Sequence, residues 1–150
     1  MFIIKRALTM KILLVEDNFE HLRLTKYILR QHNVPGEVYV VRDGQEALDY
    51  LYNRRQFSDP IANPRPNLVL LDLNIPRISG KEVLQTIKAD RQLRHIAVVV
   101  LSSSDREEDI AQAYDLGAAA YISKSAGFEK LNEALSTIHL FSTPSRVSAL

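Results

Sequence analysis

The feature of this sequence that most constrains its fold is a set of short aliphatic runs, each of which ends in polar residues. The clearest run is Leu68 to Leu71, which is followed at once by Asp72 and a turn that ends at Pro76. Near-continuous runs of Val, Ile and Leu are typical of strands that are buried on both faces of a parallel sheet. Three further runs end in the same way, in Glu16-Asp17, in Ser102 and in Lys124. The strand ends therefore present acids, a hydroxyl group and an amine.

Segments of helical period separate these runs, so strands and helices alternate along the chain, as in parallel sheets with right-handed crossovers. Asn18 is placed to cap the first helix, in which Leu22, Tyr27 and Ile28 are expected to form the apolar stripe. The predicted strands are 11–15, 37–41, 67–71, 96–101 and 119–123, and the predicted helices are 19–31, one that Asp43-Gly44 opens, 80–89, 105–116 and 128–140. The sequence predicts a doubly wound α/β fold with a five-stranded parallel sheet in the flavodoxin-like order 2-1-3-4-5 and five helices.

The length of 150 residues favours one domain, which we expect to span residues 10–141 before a short polar tail, residues 142–150. Residues 1–9 are too short, and carry their charge on the wrong side of the apolar part, for a secretory signal. We expect them to form a disordered leading arm.

The segment from Asn53 to Pro66 holds three prolines and two adjacent arginines, and it is longer than usual connections in such folds. It is the main insertion of the chain.

The composition argues against two classes of partner. Nineteen Lys and Arg residues oppose eighteen Asp and Glu residues, which leaves a formal net charge of +1. This balance creates no long-range field that would favour nucleic acid or an anionic membrane, and no apolar stretch approaches membrane-spanning length. The absence of Cys excludes disulfides and thiolate metal sites and is compatible with a reducing compartment. We therefore expect a cytoplasmic protein that binds neither nucleic acid nor membrane.

The polar strand ends form the candidate functional site. In a doubly wound sheet the carboxyl ends of the strands point to one edge, which places five residues together: Glu16, Asp17, Asp72, Ser102 and Lys124. Clustered carboxylates suit a hard cation such as Mg²⁺. A carboxylate can attack phosphorus when a metal neutralises the phosphoryl oxygens and other groups hold the rest. The set indicates a metal-assisted site in which Asp72 accepts a phosphoryl group that Ser102 and Lys124 bind.

Each of these residues also has an ordinary structural interpretation. Asp17 taken alone is as consistent with capping the next helix as with metal binding, although Asn18 already fills the capping role. Asp72 alone is consistent with a turn residue, Ser102 with a polar strand end, and Lys124 with a solvated lysine. Their joint placement is what favours the functional interpretation.

Two more serines follow Ser102. Ser103 is small and would leave room for a phosphoryl group. Ser104 is assigned to capping the helix that is predicted to begin at Asp105, with orientation of a hydrolytic water as the alternative.

The four strand ends, in this order, resemble the motifs of a known family. The segments are Ile12 to Asn18, Leu70 to Pro76 with Gly80, Val99 to Ser104, and Tyr121 to Lys124. Over roughly residues 10–141 the chain is similar to the receiver domain of two-component response regulators. The resemblance implies that Asp72 is the phosphoacceptor. It also implies a Mg²⁺ site whose ligands are Glu16, Asp17, Asp72 and the backbone carbonyl oxygen of Asn74.

The same resemblance assigns the conformational switch. It implies that Ser102 is the switch hydroxyl, that Lys124 is the phosphate-binding cation, and that Tyr121 is the aromatic residue whose rotamer follows the hydroxyl. Tyr121 is also consistent with a half-buried filler of its strand, and the two roles are compatible. The resemblance therefore implies a single-domain response regulator that accepts a phosphoryl group from a histidine kinase, switches protein contacts, and slowly dephosphorylates itself.

One departure from the family pattern follows Lys124, where most receivers have a proline in a cis bond and this chain has Ser125. A cis bond before any other residue is costly, so the bond is either trans or strained. The segment Tyr121 to Ala126, with Tyr114 to Leu116 and the insertion, is similar to stand-alone receivers that partner cyanobacterial phytochromes. This similarity implies a phytochrome-type histidine kinase as phosphodonor and a homodimer through the fourth helix, fifth strand and fifth helix.

Three other classes of protein share parts of this pattern. A phosphohydrolase of the haloacid dehalogenase type requires a second acid two residues after its nucleophile, where this chain has Asn74. A flavodoxin-like flavin carrier needs small and hydroxyl residues after the first strand, where Glu16 and Asp17 would repel phosphate. A non-phosphorylated pseudo-receiver that acts only as an interaction module would lack part of the constellation, and it is the alternative function.

Overall fold

The computed structural model describes residues 10–31, 36–124, 130–131 and 133–135. The strands are β1 (Met10–Val15), β2 (Gly36–Val41), β3 (Leu68–Asp72), β4 (Ala97–Ser102) and β5 (Ala120–Ser123). The helices are α1 (Phe19–Gln31), α2 (Gly44–Leu51), α3 (Gly80–Ala89) and α4 (Glu107–Asp115), and residues 130–131 and 133–135 belong to a last helix, α5. The strands form one parallel sheet in the order β2-β1-β3-β4-β5, which confirms the predicted α/β fold.

The register of the sheet brings the strand ends to one level. Val15 of β1 pairs with Leu71 of β3, and Ser102 of β4 pairs with Ser123 of β5. The carboxyl edge of the sheet is therefore reached at Ser102 itself in β4 and one residue further along in the other three strands. The polar residues of the predicted site share this edge.

Helices cover both faces of the sheet, as the continuous aliphatic strands require. On one face, α1 and α5 pack through Leu22, Ile28, Leu29, Leu131 and Leu135. On the other face, the packing residues of α2, α3 and α4 are Ala47, Tyr50, Leu51, Val83, Leu84, Ile87 and Ala113. Alternate residues of each strand point into these two cores, so the sheet is a rigid support for the residues at its edge.

The first helix confirms one sequence prediction and corrects another. The side-chain oxygen of Asn18 accepts the backbone N–H of His21 at 3.0 Å, so Asn18 caps α1 as predicted. Leu22 and Ile28 are buried, but Tyr27 is 52% exposed, and its assignment to the apolar stripe was wrong. At about 100° per residue, the buried residues Leu22, Thr25, Ile28 and Leu29 share one side of the helix, and Tyr27 lies on the opposite side.

Other element boundaries differ from the sequence predictions by one or two residues. Asp72 is the last residue of β3 rather than the first residue after it, and α4 begins at Glu107 rather than Asp105. The predictions for residues 1–9, 136–150 and the Lys124–Ser125 peptide bond lie outside the described residues. Within the described parts of the chain, no helix has the length and hydropathy needed to cross a membrane.

Candidate functional site

Asp72 is buried at the carboxyl end of the central strand β3. One of its carboxylate oxygens, Oδ1, accepts the backbone N–H of Asn74 at 2.9 Å. The other, Oδ2, accepts a hydrogen bond from Lys124 Nζ at 3.0 Å. The turn that holds this arrangement needs Gly80, since a Cβ there would lie 2.5 Å from Leu73 Cα. Asp72 is therefore fixed in orientation by the backbone and paired with an ammonium group that it shares with Glu16.

Glu16 is buried directly after β1, beside Asp72. Its backbone N–H donates to the carbonyl oxygen of Val41 at 3.1 Å, and its Oε2 accepts the Asn18 N–H at 3.1 Å. Its Oε1 accepts from Lys124 Nζ at 2.7 Å. Burial raises the pKa of the Glu16 carboxyl above its usual value, Lys124 opposes that shift and the charge of Asp72 adds to it. The carboxyl is thus costly to keep ionised without a nearby cation.

Lys124 links the two buried acids. Its side chain is only 7% exposed, and its Nζ contacts Glu16, Asp72 and, at 3.0 Å, His21 Nδ1. The ion pair between Lys124 and Asp72 agrees with the predicted proximity of these two residues. The contacts with Glu16 and His21 were missed, although His21 lies four residues after Asp17, in the first turn of the helix that starts at this edge.

The acids also form a cluster that could hold a metal ion. Glu16, Asp17 and Asp72 each offer a carboxylate oxygen, and these atoms lie within 4.8 Å of one another. Among the described residues, Lys124 is the cation paired with them, so three ionised carboxylates minus one ammonium leave two negative charges. Oxygen donors with this excess charge suit a divalent cation. Asp17 is exposed and opens the cluster to solvent.

Ser102 is buried at the end of β4, next to β3 in the sheet. Its Oγ accepts the backbone N–H of Ser104 at 3.1 Å. It borders a cleft of about 270 Å³ that is lined by Leu73, Asn74, Ser79, Lys81, Ser102, Ser104 and Asp109. Asn74 also reaches across this opening, because its side-chain amide donates to Ser103 Oγ at 3.4 Å. The cleft gives the residues beside Asp72 an opening to solvent.

Ser104 does not have its predicted role as the cap of a helix that begins at Asp105. Its hydroxyl donates to Asp109 Oδ2 at 2.6 Å and accepts the N–H of Arg106 at 3.3 Å. Lys81 Nζ donates to Asp109 Oδ1 at 3.3 Å. The Ser104 hydrogen bond and Lys81 lower the pKa of the Asp109 carboxyl below its usual value. Ser104 therefore links the loop after β4 to α4 through a hydrogen bond.

Tyr121 is half-buried on β5 and packs against the core formed with α2, α3 and α4. Its hydroxyl donates to the backbone carbonyl oxygen of Ser104 at 2.8 Å. Its backbone N–H donates to the Tyr114 hydroxyl at 3.1 Å. Tyr121 thus fills its strand and also contacts the loop that follows Ser102.

The sequence matches a family profile described as the response regulator receiver domain, over residues 12–136. A curated relative is the response regulator Rcp1 of Synechocystis sp. (strain ATCC 27184 / PCC 6803 / Kazusa). It is 38% identical over 130 residues, which cover 87% of this chain and 86% of Rcp1. The match covers the strand ends and the residues between them.

Solved structures give the same result. The phosphorylated cyanobacterial phytochrome response regulator RcpA is 44% identical, with a TM-score of 0.77 over 91% of this chain and 96% of RcpA. The Mn²⁺-bound form of Rcp1 is 36% identical, with a TM-score of 0.76 over 90% of this chain and 95% of that structure. The bacteriophytochrome response regulator RtBRR is 41% identical, with a TM-score of 0.77 over 85% of this chain and 76% of RtBRR. This protein therefore belongs to the response regulator receiver family, and within it resembles the phytochrome response regulators.

Proposed function

We propose that Asp72 accepts a phosphoryl group from the phosphohistidine of a phytochrome-type histidine kinase, and that the modification switches protein contacts. One observation carries the proposal. The buried Asp72 carboxylate is held by a backbone N–H on one oxygen and by Lys124 on the other, with Glu16 and Asp17 beside it. A carboxylate held in this way has a fixed orientation toward an incoming phosphorus atom.

The proposed step is a transfer between two nucleophiles. An oxygen of Asp72 forms a bond to phosphorus while the nitrogen–phosphorus bond of the phosphohistidine breaks, and that electron pair returns to the imidazole. Lys124 and the Ser102 hydroxyl bind the transferred phosphoryl oxygens. When bound, Mg²⁺ supplies neutralising charge for these oxygens. Its proposed ligands are Glu16, Asp17, Asp72 and the backbone carbonyl oxygen of Asn74.

The switch would act through the loop after β4. A phosphoryl group adds roughly two negative charges and strong acceptor oxygens, which attract the Ser102 hydroxyl. That hydroxyl now accepts the Ser104 N–H, and the Ser104 carbonyl accepts the Tyr121 hydroxyl. Movement of Ser102 therefore alters the contacts of Tyr121 and biases the surface of β5 and α4 between two states.

We further propose that the protein is cytoplasmic and that it forms a homodimer through α4, β5 and α5. The exposed aromatic side chain of Tyr114 on α4, which is 48% exposed, supports this surface. Sedimentation velocity with and without beryllofluoride, a phosphoryl mimic, would test the dimer. A monomer under both conditions would refute it, while leaving the phosphorylation of Asp72 unaffected. The receiver domain is proposed to span residues 10–141.

Intact-protein mass measurement tests the phosphorylation directly. The wild type, incubated with acetyl phosphate and Mg²⁺ or with a phytochrome kinase, should gain one phosphoryl group, and EDTA should prevent the gain. Asp72→Asn should gain none. Asp105→Asn, which removes an exposed acid in the loop after β4, is the matched control and should be phosphorylated like the wild type.

The same experiment separates the competing functions. If the folded wild type gains no phosphoryl group from either donor, the chain is better described as a pseudo-receiver that acts through contacts alone. If it is phosphorylated, the decay of the modified mass after donor removal measures the proposed slow self-dephosphorylation. Phosphorylation of Asp72→Asn to the wild-type level would show that another residue is the acceptor.

A further inference from the structure

His21 is a half-buried histidine in the first turn of α1 that the phosphorylation chemistry above does not use. Its backbone N–H donates to the capping side chain of Asn18 at 3.0 Å, which fixes the start of the helix. From this position its ring nitrogen Nδ1 lies 3.0 Å from Lys124 Nζ. The cap of α1 therefore sets the distance between the imidazole and the ammonium group.

The chemistry of the two groups determines the direction of this hydrogen bond. A lysine ammonium group has three N–H donors and no acceptor, so the ring nitrogen that faces it must be the acceptor. A ring that accepts at Nδ1 carries its proton on Nε2. Lys124 has three donors and three acceptors, which are Glu16 Oε1, Asp72 Oδ2 and His21 Nδ1.

The three acceptors differ in what happens to them when a divalent cation and a phosphoryl group are bound. Glu16 and Asp72 are both in the acidic cluster that suits a divalent cation, and Asp72 is also the proposed phosphoacceptor. Their oxygens would then be shared with the cation or bonded to phosphorus. His21 lies outside the cluster, so neither a bound cation nor the phosphoryl group takes up the nitrogen that faces Lys124.

We propose that His21 is a positioning residue that holds the Lys124 ammonium group at the mouth of the site while a phosphoryl group is bound. The inference rests on the proposed function, because it assumes that Lys124 binds the phosphoryl oxygens. A neutral acceptor serves this purpose better than a third carboxylate would, since it orients the ammonium group without competing with the phosphoryl group for its charge. His21 acts on the phosphoryl group only through Lys124.

Beryllofluoride is the probe for this proposal, because it mimics a bound phosphoryl group and is visible by fluorine NMR. His21→Leu should weaken beryllofluoride binding in saturating Mg²⁺ by about tenfold, as expected for one lost hydrogen bond to a charged group. The same substitution should leave the Mg²⁺ affinity without beryllofluoride nearly unchanged. His21→Asn, which restores an acceptor near the position of Nδ1, should recover most of the lost affinity. His95→Leu changes an exposed histidine in the turn before β4, and it is the matched control with wild-type binding expected.

A double variant shows whether the effect passes through Lys124. In a Lys124→Met background, His21→Leu should cause no further loss of beryllofluoride affinity. An additional tenfold loss there, or equal weakening by His21→Leu and His21→Asn, would overturn the proposal. If the wild type itself binds no beryllofluoride, the proposed function fails instead. Circular dichroism melting curves establish that each variant is folded.

The wild-type protein offers a measurement that needs no substitution at His21. Long-range nitrogen–proton NMR spectra report which ring nitrogen of a histidine carries the proton. We expect the Nε2–H tautomer for His21 at neutral pH and a change in its Nδ1 shift in Lys124→Met. The Nδ1–H tautomer in the wild type would show that His21 does not accept from Lys124 and would refute the inference.

Discussion

In the described part of the chain, acids are buried next to cations at two places, and their charges are balanced differently. Asp49 of α2 has a side chain that is 4% exposed, and it forms ion pairs with Arg54 Nε at 3.4 Å and Arg55 Nε at 3.2 Å. The side-chain amide of Gln45 also donates to it at 3.0 Å. Both arginines belong to the insertion, which the Asn53 amide further ties down by donating to two of its carbonyl oxygens.

At the carboxyl edge of the sheet, acids outnumber cations. Three acids face one ammonium group there, whereas Asp49 alone faces two guanidinium groups. A buried acid whose charge is fully offset needs no further ligand, and it holds the insertion against α2. A cluster with uncompensated negative charge is stable only with a cation or at the cost of raised pKa values. The charge balance around a buried acid therefore helps to distinguish a structural ion pair from a site that binds a ligand.

The largest expected effect that tests this comparison is on metal affinity. Asp17→Asn should weaken Mg²⁺ binding by roughly a hundredfold, because it removes a charged oxygen donor from a three-acid cluster. Asp49→Asn should leave Mg²⁺ binding unchanged. Isothermal titration calorimetry measures both. Equal affinities for Asp17→Asn and the wild type would show that the acidic cluster is not the metal site.

The next effect is on the free energy of unfolding, and it is expected at Asp49 rather than at the acidic cluster. Asp49→Asn should lower the free energy of unfolding by about 1 to 2 kcal/mol, because the amide offers weaker partners to Arg54 and Arg55. The loss is moderate because both arginine side chains are more than half exposed, which limits the worth of each pair. Urea unfolding measures the change. Asp59→Asn, in the exposed part of the insertion, is the control, and an equally large loss there would refute the special role of Asp49.

A smaller effect on the free energy of unfolding should have the opposite sign. In Mg²⁺-free buffer Asp17→Asn should raise the free energy of unfolding by about 0.5 kcal/mol, because it relieves repulsion between an exposed carboxylate and the buried acids. The same substitution would then stabilise the protein while weakening its ligand binding, which no substitution at Asp49 should do. Urea unfolding in EDTA tests this, and a loss of stability would mean that Asp17 supports the fold itself.

The sequence predicted most of the fold because the decisive signals are local. Continuous aliphatic runs identify strands buried on both faces, and the edge rule for parallel sheets then places Glu16, Asp72, Ser102 and Lys124 together without knowledge of any side-chain contact. Tyr27 was misplaced because an aromatic residue can lie on the exposed side of a helix when neighbours fill the core.

The missed contacts depend on distances that no local pattern encodes. His21 meets Lys124 across the sheet edge, more than a hundred residues away in sequence. Asp49 belongs to no sequence motif, and only the course of the insertion brings Arg54 and Arg55 onto it. Ser104 was assigned to capping because the start of α4 was placed two residues early. Contacts that involve a loop decide these cases, and loop geometry is the part of a fold that sequence periodicity describes least.

The smallest expected effect concerns Asp109, a partly exposed acid that is paired with one lysine and one hydroxyl group. The Ser104 hydroxyl and Lys81 lower the pKa of its carboxyl below the value of the unfolded chain. The resulting stabilisation is complete above the unfolded pKa and is lost as the pH falls through the lower, folded pKa. Carbon NMR titration should therefore show Asp109 titrating below 3.8, and Ser104→Ala should move its pKa upward, because this hydrogen bond is the largest cause of the shift. Ser58→Ala, in the insertion, is the control with no expected change. If Asp109 titrates identically in Ser104→Ala and the wild type, Ser104 does not stabilise the ionised carboxylate, and the loop after β4 is not fastened to α4 by this bond.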